Sequence, residues 1–249
     1  MTVIAVGSIH GPCSTSTLAL DLARMCAGGA LLIEADPDGG CLAARLDLAV
    51  RPGLTELAGA ARGGIAADDL WRFAQPVGGG VGVIVAHPAA EQVNAALRAA
   101  VHHVGAALPR LGIDAVIDLG RLRPGSPALG FAALADRTIV LVDNCIESVI
   151  AVSHRTTLLT GLGDPLVVLG AAKPYGDTEV AQCCGQPVWG VIPQGDGRRS
   201  RRRRAVALAQ LLVDVAVVRD EREPASMTGI ESGGEPIEPS STVCDRAIA

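Results

Sequence analysis

The sequence has almost no lysine: Lys173 stands alone against twenty arginines. Aromatic residues make up only 2% of the chain, so a core must be built from Ala, Val, Leu and Ile. No apolar run approaches the roughly 18 residues of a membrane-spanning helix. None of the seven cysteines stand in CxxC spacing, which argues against a metal or disulfide framework. We therefore expect a cytoplasmic protein with reduced thiols, for which a membrane partner is not favoured.

Apolar strand-like runs alternate with helical stretches along most of the 249 residues. Continuous apolar strands alternating with helices predict an α/β fold, a doubly wound and mostly parallel sheet with helices on both faces. We expect this domain to occupy residues 1–218. Residues 219–249 are rich in Pro, Gly, Ser and Glu, which predicts a disordered acidic tail. Predicted strands are 3–6, 30–33, 81–85, 115–119, 138–142, 166–169 and 188–192, and predicted helices are 15–26, 54–61, 67–73, 89–108, 127–135, 149–159, 178–184 and 201–218.

A loop of mostly small residues follows the first predicted strand. Residues 7–17 read GSIHGPCSTST, and a strand, a small-residue loop and a helix in this order aim backbone N–H groups at phosphate. A P-loop would read GxxxxGK[ST]. Cys13 stands at its second glycine and Ser14 at its lysine. This motif alone would favour an ordinary strand-to-helix turn.

Acidic residues at two later strand ends favour a ligand site. Glu34, Asp36 and Asp38 follow the second strand, and Asp118 lies at the end of a later one. Carboxyl ends of parallel strands lie at one sheet edge, where ligands bind in such folds. With the Thr15 hydroxyl, these acids outline a magnesium-nucleotide site.

This ordered set resembles the ParA/MinD family, the deviant-Walker branch of P-loop NTPases, over roughly residues 1–215. Against the family loop KGGVGKTT, Ile9 stands at the signature lysine and Ser14 at the P-loop lysine. The resemblance implies about seven strands, Thr15 and Asp118 as magnesium ligands, and Asp36 as the catalytic acid. The implied phosphate-binding residues are Gly11, Pro12, Cys13, Ser14, Thr15 and Ser16.

The segments 174–180 and 187–193 are similar to lysine-less MinD-like proteins of actinobacteria, which resemble the pilus-assembly proteins TadZ and CpaE. This likeness implies an organiser that localises or regulates a pilus or secretion ATPase, with a homodimer as its working state. Losing one close charge pair costs on the order of 2–5 kcal/mol. Without both lysines, we expect ATP and Mg to bind more weakly than micromolar and hydrolysis to be near background.

Other cations and two other functions stay open. His10, Arg121 or Arg123 could reach a phosphate, or they could be solvated. The arginine run Arg198–Arg204 could be a solvated helix start, a DNA contact or a basic flank of an interfacial helix. The alternatives are therefore an active partition-type ATPase for chromosome or plasmid positioning, and a DNA-binding accessory protein.

Overall fold

A computed structural model describes residues 1–10, 14–193 and 198–222, with the side chains of the last segment described from Arg199 to Val215. The predicted tail falls outside these residues from 223 onward. The last helix runs through to Arg222, four residues past the expected domain boundary at 218. That boundary itself stays a prediction.

In the described part of the chain, eight strands form a single sheet in the order β3-β4-β2-β5-β1-β6-β7-β8. Every neighbouring pair is parallel except β3 with β4, so the predicted doubly wound, mostly parallel fold is confirmed. The strands are β1 Val3–Ser8, β2 Ala30–Glu34, β3 Gln75–Pro76, β4 Val81–Ile84, β5 Asp114–Arg121, β6 Arg137–Val142, β7 Leu166–Leu169 and β8 Val188–Val191.

Helices cover both faces of the sheet and bury its alternating side chains in two core layers. Within β1, Val3 and Ala5 belong to one layer, while Ile4 and Val6 belong to the other. Every residue of β1 and β2 is buried, as expected for strands covered on both faces. The helices are α1 Thr15–Met25, α2 Leu42–Leu46, α3 Leu54–Ala60, α4 Ala90–Ala107, α5 Leu129–Ala132, α6 Ile146–Ser153, α7 Thr156–Gly161, α8 Asp177–Cys184 and α9 Arg198–Arg222.

Three predicted helices differ from the structure, and a short strand and a short α-helix are among the elements that escaped prediction. Residues 149–159 are divided between α6 and α7, because Arg155 leaves helical geometry at φ −127°. Most of 67–73 is a 3-10 helix, and only four residues of 127–135 are α-helical. The two-residue β3 and five-residue α2 are too short to show a hydrophobic period. Among the described helices, none is both long and apolar enough to cross a membrane.

Candidate functional site

The carboxyl ends of three central strands meet at one edge of the sheet. Strand β5 lies between β2 and β1, and Asp118 is in register with Glu34 on one side and Val6 on the other. Helix α1 begins at this edge, shortly after β1 ends. The predicted loop and acidic residues are thus brought together, as the strand-end argument requires.

The first turn of α1 carries the described part of the predicted phosphate loop. Gly11, Pro12 and Cys13 lie outside the described residues. Ser14 occupies the N-cap position without a side-chain cap bond, and its carbonyl accepts the N–H of Leu18 at 2.8 Å. Thr15 and Ser16 are buried, at 5% and 7% exposure. Their hydroxyls therefore lie near the positive end of an 11-residue helix, which favours anions.

Ile9, at the position of the signature lysine, belongs to the hydrophobic core. Its side chain is 1% exposed and packs in the core layer that also holds residues of α3, α4 and α6. A guanidinium nitrogen of Arg155 donates to the Ile9 carbonyl oxygen at 3.0 Å. This hydrogen bond ties the start of the loop to the break between α6 and α7. The backbone at position 9 therefore directs the Ile9 side chain into the core.

Asp118 carries the most unusual electrostatics of the site. Its side chain is fully buried, and Oδ1 accepts the N–H of Gly120 at 3.0 Å. Oδ2 has no hydrogen-bond partner among the described residues. Burial raises the pKa of Asp118 from 3.8 to about 7; the Ser16 hydroxyl and the Gly120 N–H oppose this, and the carboxylates of Asp36 and Glu34 add to it. A buried carboxylate oxygen is thus left for a ligand that brings positive charge.

Asp36 lies beside Asp118 and packs closely against the backbone of Gly120. Burial, together with the nearby carboxylates of Asp38 and Glu34, raises the pKa of Asp36 to about 6. Its Oδ1 accepts the N–H of Asp38 at 2.9 Å. A Cβ on Gly120, where φ is +58°, would overlap the Asp36 carboxyl group. Only glycine therefore fits position 120 without displacing Asp36.

Glu34 has a structural role that its sequence position did not reveal. It is fully buried, and Oε1 accepts the N–H groups of Cys41 at 2.6 Å and Leu42 at 2.8 Å. Oε2 accepts the N–H of Ala86 at 2.8 Å. Both carboxylate oxygens are used, so Glu34 fixes the start of α2 against the end of β4.

Three arginines lie around the site. Arg123 forms an ion pair with Asp38 at 2.8 Å, and Arg121 acts to lower the pKa of Asp36. Arg45 of α2, which the sequence did not single out, donates to Oγ1 of Thr17 in α1 at 2.8 Å. The cations therefore have carboxylate or hydroxyl neighbours here. Whether any of them contacts a phosphate stays a prediction.

A magnesium ion at this site would need phosphate oxygens or water to complete its coordination shell. Groups of three or more His, Cys, Asp or Glu suited to a metal are absent from the described residues. Mg²⁺ in nucleotide sites keeps several waters and uses one or two protein ligands plus phosphate oxygens. The unpartnered Asp118 oxygen and the buried Thr15 at the same edge fit that requirement. Their assignment to magnesium, and that of Asp36 to catalysis, stay predictions.

The predicted arginine run begins α9, and one member is structural. Arg204 is 8% exposed; it donates to the Pro193 carbonyl and forms an ion pair with Asp21 of α1, both at 2.9 Å. It therefore holds α9 against α1. The exposed neighbours Arg199 and Arg201–Arg203 can still meet solvent or a ligand.

Solved structures identify the fold. No family model and no curated protein matches the sequence. A ParA family ATPase from Chlorobium tepidum TLS superposes with a TM-score of 0.66 at 14% identity, over 88% of this chain and 98% of that one. The chain has the ParA/MinD fold. Further matches are a plasmid partition protein from Borrelia burgdorferi B31 bound to AMPPNP (TM-score 0.62, 13% identity, 86% and 98% covered) and the septum site-determining protein MinD complexed with Mg-ADP from Pyrococcus horikoshii OT3 (TM-score 0.55, 15% identity, 90% and 98% covered).

Sequence reasoning found part of this site in the ParA/MinD fold. It placed Thr15, Asp36 and Asp118 together, and the structure brings their segments to one sheet edge. It missed the contacts made by Arg45 and Arg155, since nothing in their local sequence marks them. The glycine after the Asp118-Leu119 pair was a usable signal for close backbone approach.

Proposed function

We propose that the protein is a MinD/ParA-like organiser that binds Mg-ATP weakly and hydrolyses it at close to the background rate. The observation that carries this is the buried Asp118 Oδ2, which has no partner within the described residues. A positively charged ligand at that oxygen would offset the free-energy cost of burying the carboxylate. The AMPPNP and Mg-ADP in two structures of the same fold support a magnesium nucleotide as that ligand.

Each residue of the site would have a defined part in nucleotide binding. Backbone N–H groups of residues 11–16, except Pro12, which has none, would meet the phosphates at the start of α1. Thr15 and Asp118 would hold the magnesium ion, which neutralises charge on the β- and γ-phosphates when bound. Asp36 lies close enough to Asp118 to affect its pKa, and would orient the attacking water.

Weak binding follows from the residues at the two lysine positions. Ser14 carries no charge, and Ile9 is buried in the core. One missing charge contact costs on the order of 2–5 kcal/mol, or roughly 30-fold to several thousand-fold in affinity or rate. Two such losses argue against steady hydrolysis of ATP. They favour a protein that only senses nucleotide, or one that keeps the fold without using nucleotide.

The proposed binding partner is a pilus or secretion ATPase in the cytoplasm, and the proposed working form of the protein is a homodimer. The resemblance to TadZ and CpaE supports it. Ile146 and Ile150, one turn apart on α6, are 49% and 50% exposed, and provide an apolar surface for a protein contact. The partition-type ATPase and the DNA-binding accessory protein are the alternatives.

Calorimetric titration with Mg-ATP tests the nucleotide proposal. We expect the unaltered protein to bind more weakly than micromolar, and Ser14→Lys to tighten binding by at least about 30-fold by restoring one phosphate contact. Ser14→Gln, which adds length without charge, is the matched control and should change binding less than threefold. Ile9→Lys is unsuitable because the Ile9 side chain is buried.

Each outcome separates the candidates. Sub-micromolar ATP binding or steady turnover by the unaltered protein would favour the partition-type ATPase. Equal binding by Ser14→Lys and Ser14→Gln would show that the loop does not receive phosphate. DNA binding that persists at 0.2 M salt and is lost on Arg199→Glu/Arg202→Glu substitution would favour the accessory protein.

A further inference from the structure

A groove of about 880 Å³ lies between β8 and α9. Within the described residues, β8 is the last strand of the sheet, and residues of both β8 and α9 line the groove. The groove lies away from the acidic residues at the ends of β2 and β5. Its lining residues are Trp189, Gly190, Val191, Arg199, Arg202, Arg203, Val206, Ala207, Gln210 and Asp214.

Among the described lining residues, three arginines outnumber one aspartate, so the groove is positively charged. Arg199, Arg202 and Arg203 are exposed, and they form no ion pair with any described residue. Asp214, the acidic residue among the described lining residues, uses Oδ2 to accept the Trp189 indole N–H at 2.7 Å. Its Oδ1 accepts from the Gln210 amide at 2.9 Å. The carboxylate is thus engaged in holding β8 to α9.

An exposed apolar side chain also lines the groove. Val206 is 67% exposed and lines the same groove as Trp189 and the three arginines. An exposed valine is favourably covered by another apolar side chain. The matching ligand is therefore a peptide that carries several carboxylates with an apolar residue between them.

The end of this chain has that composition. Beyond Arg222, residues 223–249 contain five acidic residues and one basic residue, Arg246. Ile237 stands between Glu235 and Glu238. We propose that residues 223–249 fold back into the groove between β8 and α9, with their acidic residues on its arginines and Ile237 on Val206. The acidic residues are Glu223, Glu231, Glu235, Glu238 and Asp245.

Chain length permits this return. From Val206 to Arg222, α9 rises about 24 Å at ~1.5 Å per residue. Residues 223–249 span up to about 90 Å at ~3.3 Å per residue, which leaves ample slack. A tether of this kind gives an effective concentration on the order of millimolar, so weak ion pairs suffice. A second copy of the chain that docked groove to groove would place the arginines of one copy against those of the other, which like-charge repulsion disfavours.

The tail would act as a built-in competitor at the arginine run. A nucleic acid or an acidic protein segment must displace it to reach Arg199, Arg202 and Arg203. Any such binding would then be weaker in the full chain than in a chain whose tail carries no charge. This inference does not depend on the nucleotide site, and it can fail while the proposed function stands.

Fluorescence of Trp189 reports directly on the groove. The chain has two tryptophans, so Trp71→Phe leaves Trp189 as the sole emitter. In that full-length background, we expect Glu231→Gln/Glu235→Gln/Glu238→Gln to raise the acrylamide quenching constant about twofold. Salt at 1 M, where screening acts over about 3 Å, should do the same for the unaltered tail and add little to the neutralised one.

Groove variants complete the test. Arg199→Glu/Arg202→Glu/Arg203→Glu should also raise quenching about twofold, and adding Glu231→Arg/Glu235→Arg/Glu238→Arg should restore protection. The rescue shows that the groove variant still folds. Arg201→Glu is the matched control, since Arg201 lines a different cavity, between α1 and α9, and it should leave quenching unchanged. Unchanged quenching on tail neutralisation overturns the proposal. So does protection that depends on protein concentration, which indicates a second copy, or on nuclease treatment, which indicates nucleic acid.

Discussion

Replacing Asp118 with asparagine is expected to stabilise the protein at neutral and alkaline pH. The Asp118 carboxyl group is fully buried, and one of its oxygens has no partner among the described residues. Asparagine keeps an oxygen to accept the Gly120 N–H, and it removes the charge that faces Asp36 and Glu34. A substitution at the centre of the candidate site should therefore raise the free energy of unfolding.

The size of this effect follows from the pKa of Asp118. Burial raises it from 3.8 to about 7, so between about pH 4 and pH 7 the folded protein holds a proton that the unfolded chain has released. Stability therefore falls as pH rises through that window and is level above it. About three units at 1.36 kcal/mol each give ~4 kcal/mol. Burying the new amide N–H offsets about 1–2 kcal/mol, which leaves a gain of roughly 2–3 kcal/mol at pH 8 and no gain at pH 4.

Urea unfolding at intervals from pH 4 to pH 8 measures this gain. Asp38→Asn is the matched control: Asp38 is 41% exposed and its ion pair partner Arg123 is 49% exposed, so its loss should cost less than about 1 kcal/mol. That variant should also keep the fall in stability between pH 4 and pH 7 that Asp118 contributes, since Asp38 is not among the groups that shift the pKa of Asp118. In Asp118→Asn, the fall in stability between pH 4 and pH 7 should shrink to the part contributed by Asp36, whose pKa is also raised.

Two results would refute this account. One is an Asp118→Asn variant that unfolds at lower urea than the unaltered protein at pH 8. The other is an unchanged pH dependence, which would mean that Asp118 is not the titrating group. Either result would also remove the physical basis for a positively charged ligand at this position.

Two further substitutions test the local packing by thermal unfolding. Gly120→Ala should lose about 2–4 kcal/mol, since φ is +58° and the new Cβ overlaps Asp36. Gly112→Ala is the control, because φ is +78° there and the added Cβ would meet open space, so that only backbone strain is introduced. An equal loss of unfolding free energy in both variants would contradict the contact with Asp36. Ile9→Lys should lose at least about 3 kcal/mol by burying an ammonium group, whereas Ile9→Val should lose about 0.5–1.5 kcal/mol. A fully stable Ile9→Lys protein would show that this side chain can turn outward.

The alternation of apolar strands and helices was sufficient to predict the architecture. Strand β1 and strand β2 are buried throughout, so their sequences read as unbroken apolar runs that are visible without a structure. The division of residues 149–159 into α6 and α7 could not be predicted in this way. It depends on Arg155, whose guanidinium reaches the Ile9 carbonyl from 146 positions away in the chain.

The acidic part of the site was predictable for a topological reason. Parallel strands present their carboxyl ends at one edge, so Asp36 and Asp118 had to approach each other once the strands were recognised. Their chemical states were not predictable, because the raised pKa values come mainly from burial. The local sequence contains no measure of burial depth.

Local sequence thus established the order of the elements and the kinds of side chain at each strand end, because hydrophobic period and residue type act over a few neighbours. Tertiary structure alone decided how those side chains are used. Glu34 became a structural acceptor of three N–H groups, Ile9 turned into the core, and Asp118 kept an oxygen without a partner among the described residues. These outcomes depend on which distant backbone groups and side chains fill the space around each residue, and packing settles that only when the sheet and its helices assemble.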